Sequence, residues 1–124
     1  MSNGKRSLYE RLGGYDAITA VANDLLPRLR GDSQLGRFWA HRGDDGIDRE
    51  KQLLIDFLCA SAGGPVYYRG RHMALCHRGM RISESDWSVF LGHAAATLAK
   101  FKVPEAEQRE VVAFVQSLKN DIVE

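Results

Sequence analysis

The chain has 124 residues, 44% of them hydrophobic and 27% charged, a balance that suits one soluble globular domain with a real core. With 17 basic and 16 acidic residues the formal charge is +1, so neither nucleic acid nor an anionic membrane is an expected partner. The opening MSNGKRSLYE lacks the apolar run of a secretory signal, no stretch approaches the roughly 20 apolar residues of a membrane span, and Cys59 and Cys76 form no CxxC; a reducing cytoplasm is the expected setting.

Residues 1–124 read as a single domain, with 1–6 as a disordered tail. Ala17, Ile18, Val21, Ala22, Leu25, Leu26 and Leu29 recur at helical spacing and make one apolar face. Pro27 falls inside that pattern and is expected to kink the helix or end it early. A short segment follows at 35–39, then the polar loop HRGDDG at 41–46. The next helix carries Ile47, Leu53, Leu54, Ile55, Phe57 and Leu58 over more than one stripe, so it is expected to be contacted from two sides. Gly63-Gly64-Pro65 stops it. The stretch 66–81 has weak periodicity and predicts only a short helix near His77. Ser83 offers an N-cap, with Glu84 and Asp86 in the first turn, to a helix whose face is Trp87, Phe90, Leu91, Ala94, Ala95 and Leu98. Pro104 opens a last helix whose buried face runs Val111, Phe114, Val115, Leu118, Ile122. No segment alternates with period two, so the fold class is all-α, about four main helices and some short ones.

The candidate chemistry rests on four histidines. No HExxH, no zinc-type spacing, no GxSxG and no phosphate-binding glycine loop is present. His77 is set apart by its neighbours, with Met73, Ala74 and Leu75 before it and Met80 and Ile82 after. In an apolar wall one imidazole nitrogen can hold a metal while the other bonds a carbonyl, here that of Met73 four residues back. A core or partly exposed histidine fits the same spacing. His93 reads as structural and His72 as solvated. His41 reads as solvated too, unless its loop folds over a pocket.

Taken in order, SLYERLGGYDAI (7–18), DSQLGRFW (32–39), FLCASAGGPVYYRGRHMALCHRGMRI (57–82), VPEAEQREVVAFV (103–115) and DIVE (121–124) resemble the truncated haemoglobins, most closely their first group. The segment 57–82 is the specific one, with its glycine pair, proline, tyrosine and a histidine four residues after a methionine. The resemblance implies a shortened globin fold, a two-over-two helical sandwich enclosing haem b (iron protoporphyrin IX). It implies His77 as the proximal iron ligand and oxygen, nitric oxide or carbon monoxide on the opposite side. The haem contacts it implies are Phe38, Trp39, Leu54, Phe57, Leu58, Tyr68, Arg71, Met73, Ile82 and Phe90. Arg71 would pair with a propionate, or is a plain surface arginine.

The sequence departs from the family on the open side. Leu26 falls where the family has a tyrosine. Leu54 falls where many members have a glutamine, with Glu50 one turn earlier. Anchoring on Lys51-Gln52 instead brings Gln52 into play but moves Phe57 out of register. Losing a charge-assisted hydrogen bond to the bound gas costs about 1.5–3 kcal/mol, roughly ten- to a hundred-fold in affinity. Trp39 or His41 could supply a replacement donor, and His41 could reach the iron. The expected function is reversible binding of a diatomic gas, for oxygen carriage or storage or for nitric oxide detoxification. Nitric oxide dioxygenase or peroxidase-like turnover would call for an external reductase, since no flavin or nicotinamide motif is present. A haem-based gas or redox sensor acting through a partner protein, and a cofactor-free helical interaction domain, are the alternatives.

Overall fold

The structure is a computed structural model that describes residues 6–40, 43–65, 68, 70 and 73–124, the side chains of Leu75 and Cys76 excepted. His41, Arg71, His72 and most of the expected tail 1–6 lie outside the described residues.

Helix α1 (Leu8–Leu12) begins at Ser7, whose hydroxyl accepts the Glu10 amide at 3.2 Å while the Glu10 carboxylate accepts the Ser7 amide at 3.3 Å. This reciprocal cap satisfies two amides that the first turn leaves without helical partners. Gly13, at φ 110°, turns the chain directly into α2 (Gly14–Arg30). Helix α2 is the central element. Its Ile18 and Ala22 pack with Ile55 and Cys59 of α3 (Asp44–Ser61). Its Leu25 and Leu29 pack with Leu35, ahead of a 3₁₀ turn at Gly36–Trp39.

Pro27 does not end α2 early, one of the two outcomes expected of it: the helix runs on to Arg30. Pro27 stands in the last turn and is exposed, and it removes one amide donor there. Its own carbonyl accepts from Gly31 at 2.9 Å, and Arg28 Nε pairs with Asp24 across it at 2.7 Å.

Helix α5 (Glu84–Lys100) packs on α2 and is fastened to it by a half-buried carboxylate. Asp24 of α2 accepts from Thr97 Oγ1 and Lys100 Nζ, both at 2.8 Å. Asp86, only 1% exposed, completes the cap on Ser83 and also accepts from Arg37 at 2.7 Å and Gln34 at 2.6 Å. It thereby ties the 3₁₀ segment to the start of α5. His93 has the structural role expected of it, bonding Asp32 at 2.8 Å. The other oxygen of Asp32 accepts from the Gln34 and Leu35 amides.

Helix α6 (Glu105–Ser117) follows Pro104 and returns against α5, with Trp87 Nε1 donating to Gln116 at 3.1 Å. The single last helix expected through Ile122 is instead interrupted at Leu118, and α7 (Lys119–Ile122) follows it. The Ser117 hydroxyl turns back onto the Phe114 carbonyl, a local bond of the kind that competes with helix propagation. Between α3 and α5 lies α4 (Met73–His77), a helix of five residues that packs against α7. The one extended contact among the described residues is a parallel bridge of Ile82 with Val123. Among the described residues no helix is long and apolar enough to cross a membrane.

Two outcomes follow for stability. A Cβ at Gly64 would stand 2.4 Å from the Tyr9 ring, and Tyr9 is already held there by its amide bond to Ala62 at 2.8 Å. Gly64→Ala should therefore cost about 1–3 kcal/mol as an overpacked contact, read as a lower denaturant midpoint; an unchanged midpoint would show that α1 lifts away freely. Hydrogen bonds from Lys100, Arg28 and Thr97 hold the Asp24 carboxyl well below the usual range, and Arg37 does most to hold Asp86 there. A carboxyl with a depressed folded pKa stabilises fully above its unfolded value of about 3.9 and ceases to as pH falls through the folded value. Thermal stability should thus be flat above about pH 5 and fall steadily below about pH 4, with a shallower acid limb in Asp86→Asn; equal acid limbs would contradict this account.

Candidate functional site

His77 is the last residue of α4 and is half-buried. Its Nδ1 lies 2.9 Å from the Met73 carbonyl oxygen. A carbonyl can only accept, so Nδ1 carries the proton and the lone pair of the neutral ring belongs to Nε2. This is the arrangement anticipated from the spacing of Met73 and His77. The bond also fixes the ring's rotation, as the outer hydrogen bond of a metal-bound imidazole does.

The other expected contacts fall into three groups. Leu26, Phe38, Trp39 and Phe90 gather around the buried trio Leu25, Leu29 and Leu35. Phe38 and Trp39 meet edge to face at 6.4 Å between centroids, and the Arg37 guanidinium covers the outer side of Phe38 at 4.2 Å. Leu54 and Leu58 pack on the Ile18–Ile55 cluster. Leu58 also lines an apolar cavity of about 310 Å³ between α1, α2 and α6. Phe57, Tyr68 and Met73 line a second, open cavity of about 400 Å³ with Ser61, Gly70, Phe114, Leu118 and Asp121. There the Phe57 ring is 5.2 Å from Tyr68 and 5.9 Å from Phe114. Ser61 and Phe114 are common walls of the two cavities.

On α3, Glu50, Leu54, Phe57 and Ser61 share a stripe, being spaced by three or four residues. Gln52 points elsewhere. Its amide donates to Tyr15 Oη at 2.8 Å and to Asp56 at 3.0 Å on an exposed face. Leu54, in contrast, packs inward on the Ile18–Ile55 cluster.

The large side chains Leu26, Phe38, Trp39, Leu54, Phe57, Tyr68, Phe90 and Phe114 are only half-buried, whereas the residues behind them are sealed. Half-buried rings in these groups leave apolar area that a flat apolar group could cover. His77 is not among the residues lining the two cavities, but its oriented imidazole is the kind of donor that a metalloporphyrin takes. Ile82 sits beyond His77, bridged to Val123.

Phe114 and Leu118 were read from the sequence only as buried-face residues. Their spacing of four, with Ile122 four further on, was the available signal, but nothing in it marked the cavity. Glu124 was missed altogether. Its carboxylate accepts from the Gly79 amide at 3.1 Å and the Arg81 amide at 2.6 Å, just past His77.

Residues 7–124 match the bacterial-like globin family. The group 1 truncated haemoglobin of Tetrahymena pyriformis is 26% identical over 121 residues, 98% of each chain. That of Mycolicibacterium paratuberculosis is 29% identical over 116 residues, 94% of this chain and 83% of the relative. The crystal structure of the Tetrahymena pyriformis protein in its Fe(III) form superposes with a TM-score of 0.87 at 25% identity, covering 95% of this chain and 98% of that one. With the fold, the oriented His77 and matches that span almost the whole chain, this protein belongs to the bacterial-like globins as a group 1 truncated haemoglobin of two-over-two helical fold, a family that binds haem and, through it, diatomic gases.

Proposed function

We propose that this chain holds haem b with His77 as the axial protein ligand and binds oxygen reversibly, in carriage or storage. Bound haem supplies an iron with one position for the protein and one for a diatomic gas. The observation that carries the reading is the 2.9 Å bond from His77 Nδ1 to the Met73 carbonyl, which leaves Nε2 as the basic nitrogen. Hydrogen bonding of the outer nitrogen raises the ring's donor strength and restricts its rotation.

The remaining residues set the walls. Phe57, Tyr68 and Met73 bring aromatic and thioether surface to the His77 side. Leu26, Phe38, Trp39 and Phe90 form an apolar wall around Leu25, Leu29 and Leu35. Apolar walls exclude water and so favour a neutral gas over hydroxide or an anion. Leu26 and Leu54 carry no hydrogen-bond donor, so a polar contact to the gas would have to come from Trp39 or His41. Reversible binding needs no electron supply, whereas nitric oxide oxidation would draw electrons from an external reductase.

Two experiments test the reading. Protein supplied with haemin should show a Soret band with histidine-type ferrous and carbon monoxide spectra, and His77→Ala should lose them; identical spectra in both would end the assignment of His77. Leu26→Tyr places a hydroxyl on the open side. Stopped-flow oxygen release should slow about ten- to a hundred-fold, the worth of one charge-assisted hydrogen bond. An unchanged rate would mean that Leu26 does not face the gas.

A further inference from the structure

The segment after His77 is held from an unexpected direction. Gly79 at φ 84° and Arg81 at φ 55° both adopt left-handed backbone, which a side chain such as that of arginine disfavours. Their amides converge on the two oxygens of the Glu124 carboxylate, at 3.1 Å and 2.6 Å. Two amides one residue apart thus face a single anion in a concave turn, and its full negative charge makes each bond charge-assisted. Glu124 also donates its own amide to the Ile82 carbonyl at 2.8 Å, and Val123 bridges Ile82. Helix α7, immediately before, lies on α4.

Helix α4 needs this support. A helix of five residues lies far below the length at which helical hydrogen bonds sustain themselves in water. His77 is its final residue, where fraying begins. A turn bond from the Met80 amide to the His77 carbonyl, at 3.2 Å, continues the helix loosely into the concave turn. The clamp on Gly79 and Arg81 thus fixes the end of the helix from which the imidazole projects.

We propose that Glu124 is a positioning residue for His77: by binding the Gly79 and Arg81 amides, its carboxylate sets the height and tilt of the imidazole in the haem site. The proposal rests on the reading of His77 as the axial ligand. Its test uses full-length, haem-loaded wild type, Glu124→Ala, Glu124→Gln and His77→Ala, with three readouts: haem transfer to excess apomyoglobin, the ferrous iron–histidine stretching band, and hydrogen exchange at the Gly79 and Arg81 amides.

In Glu124→Ala the two amides should exchange faster, the stretching band should shift or broaden, and haem should leave about ten-fold faster, the worth of one such bond. Glu124→Gln keeps a carbonyl acceptor and should fall between wild type and Glu124→Ala, which a general loss of folding would not produce. Faster exchange with an unaltered band and unaltered haem loss would overturn the proposal, as would a Glu124→Gln protein as defective as Glu124→Ala. A wild-type band that persists in His77→Ala would instead overturn the assignment of His77, and the proposal with it.

Discussion

A helix can bury only a limited stripe against each neighbour, and in this fold α2 has α1, α3, the 3₁₀ turn and α5 to satisfy. It does so by dividing its length. Ile18 and Ala22 serve α3, while Leu25 and Leu29 serve the segment that leads to the 3₁₀ turn and α5. Ile18, Ala22, Leu25 and Leu29 are spaced by four, three and four, so both clusters lie on one face of α2, the second further along it than the first. On α3, Leu54 packs on the Ile18–Ile55 cluster, while Phe57 turns to Tyr68 and Phe114.

Polar contacts fix how α2 and α5 meet with more directional control than apolar packing offers. Asp24, Asp32 and Asp86 each satisfy several donors from different segments. A buried carboxylate with its lone pairs filled tolerates little displacement, since an unmatched one is costly. Asp86 does this for two elements at once, as the cap of α5 and as the acceptor for Arg37. The 3₁₀ turn carrying Phe38 and Trp39 is therefore positioned by the same group that starts α5.

What the sequence disclosed and what it concealed divide along the range of the interactions. Local rules worked: Ser83 with Asp86 as a cap, Gly63-Gly64 as a stop, and His77 with Met73 as a bonded pair at helical spacing. The all-α class and the two-over-two fold were legible as well, from helical periodicity and from the order of segments resembling a known family. Pro27 misled as to an early end of α2 because its effect depends on whether its site is exposed, a tertiary fact. The break at Leu118 was hidden because Val111, Phe114, Leu118 and Ile122 keep perfect helical spacing through it. Glu124 could not be found at all, since its partners Gly79 and Arg81 lie far away in sequence and use only their backbone amides, which every residue possesses.

The same division bears on the axial ligand. A histidine holds a metal usefully only when its ring is fixed in rotation, in height and in tilt. The Met73 carbonyl fixes the first, and a single turn of helix is enough to encode it. Height and tilt depend on where the short helix ends, and α4 is too short to decide that alone. They must come from outside α4, and α7 with the segment after it is the part of the chain in contact there. The last helix is interrupted at Leu118, and the chain beyond it lays Val123 and Glu124 alongside Ile82 and the turn at Gly79–Arg81, which is the support that α4 lacks within itself.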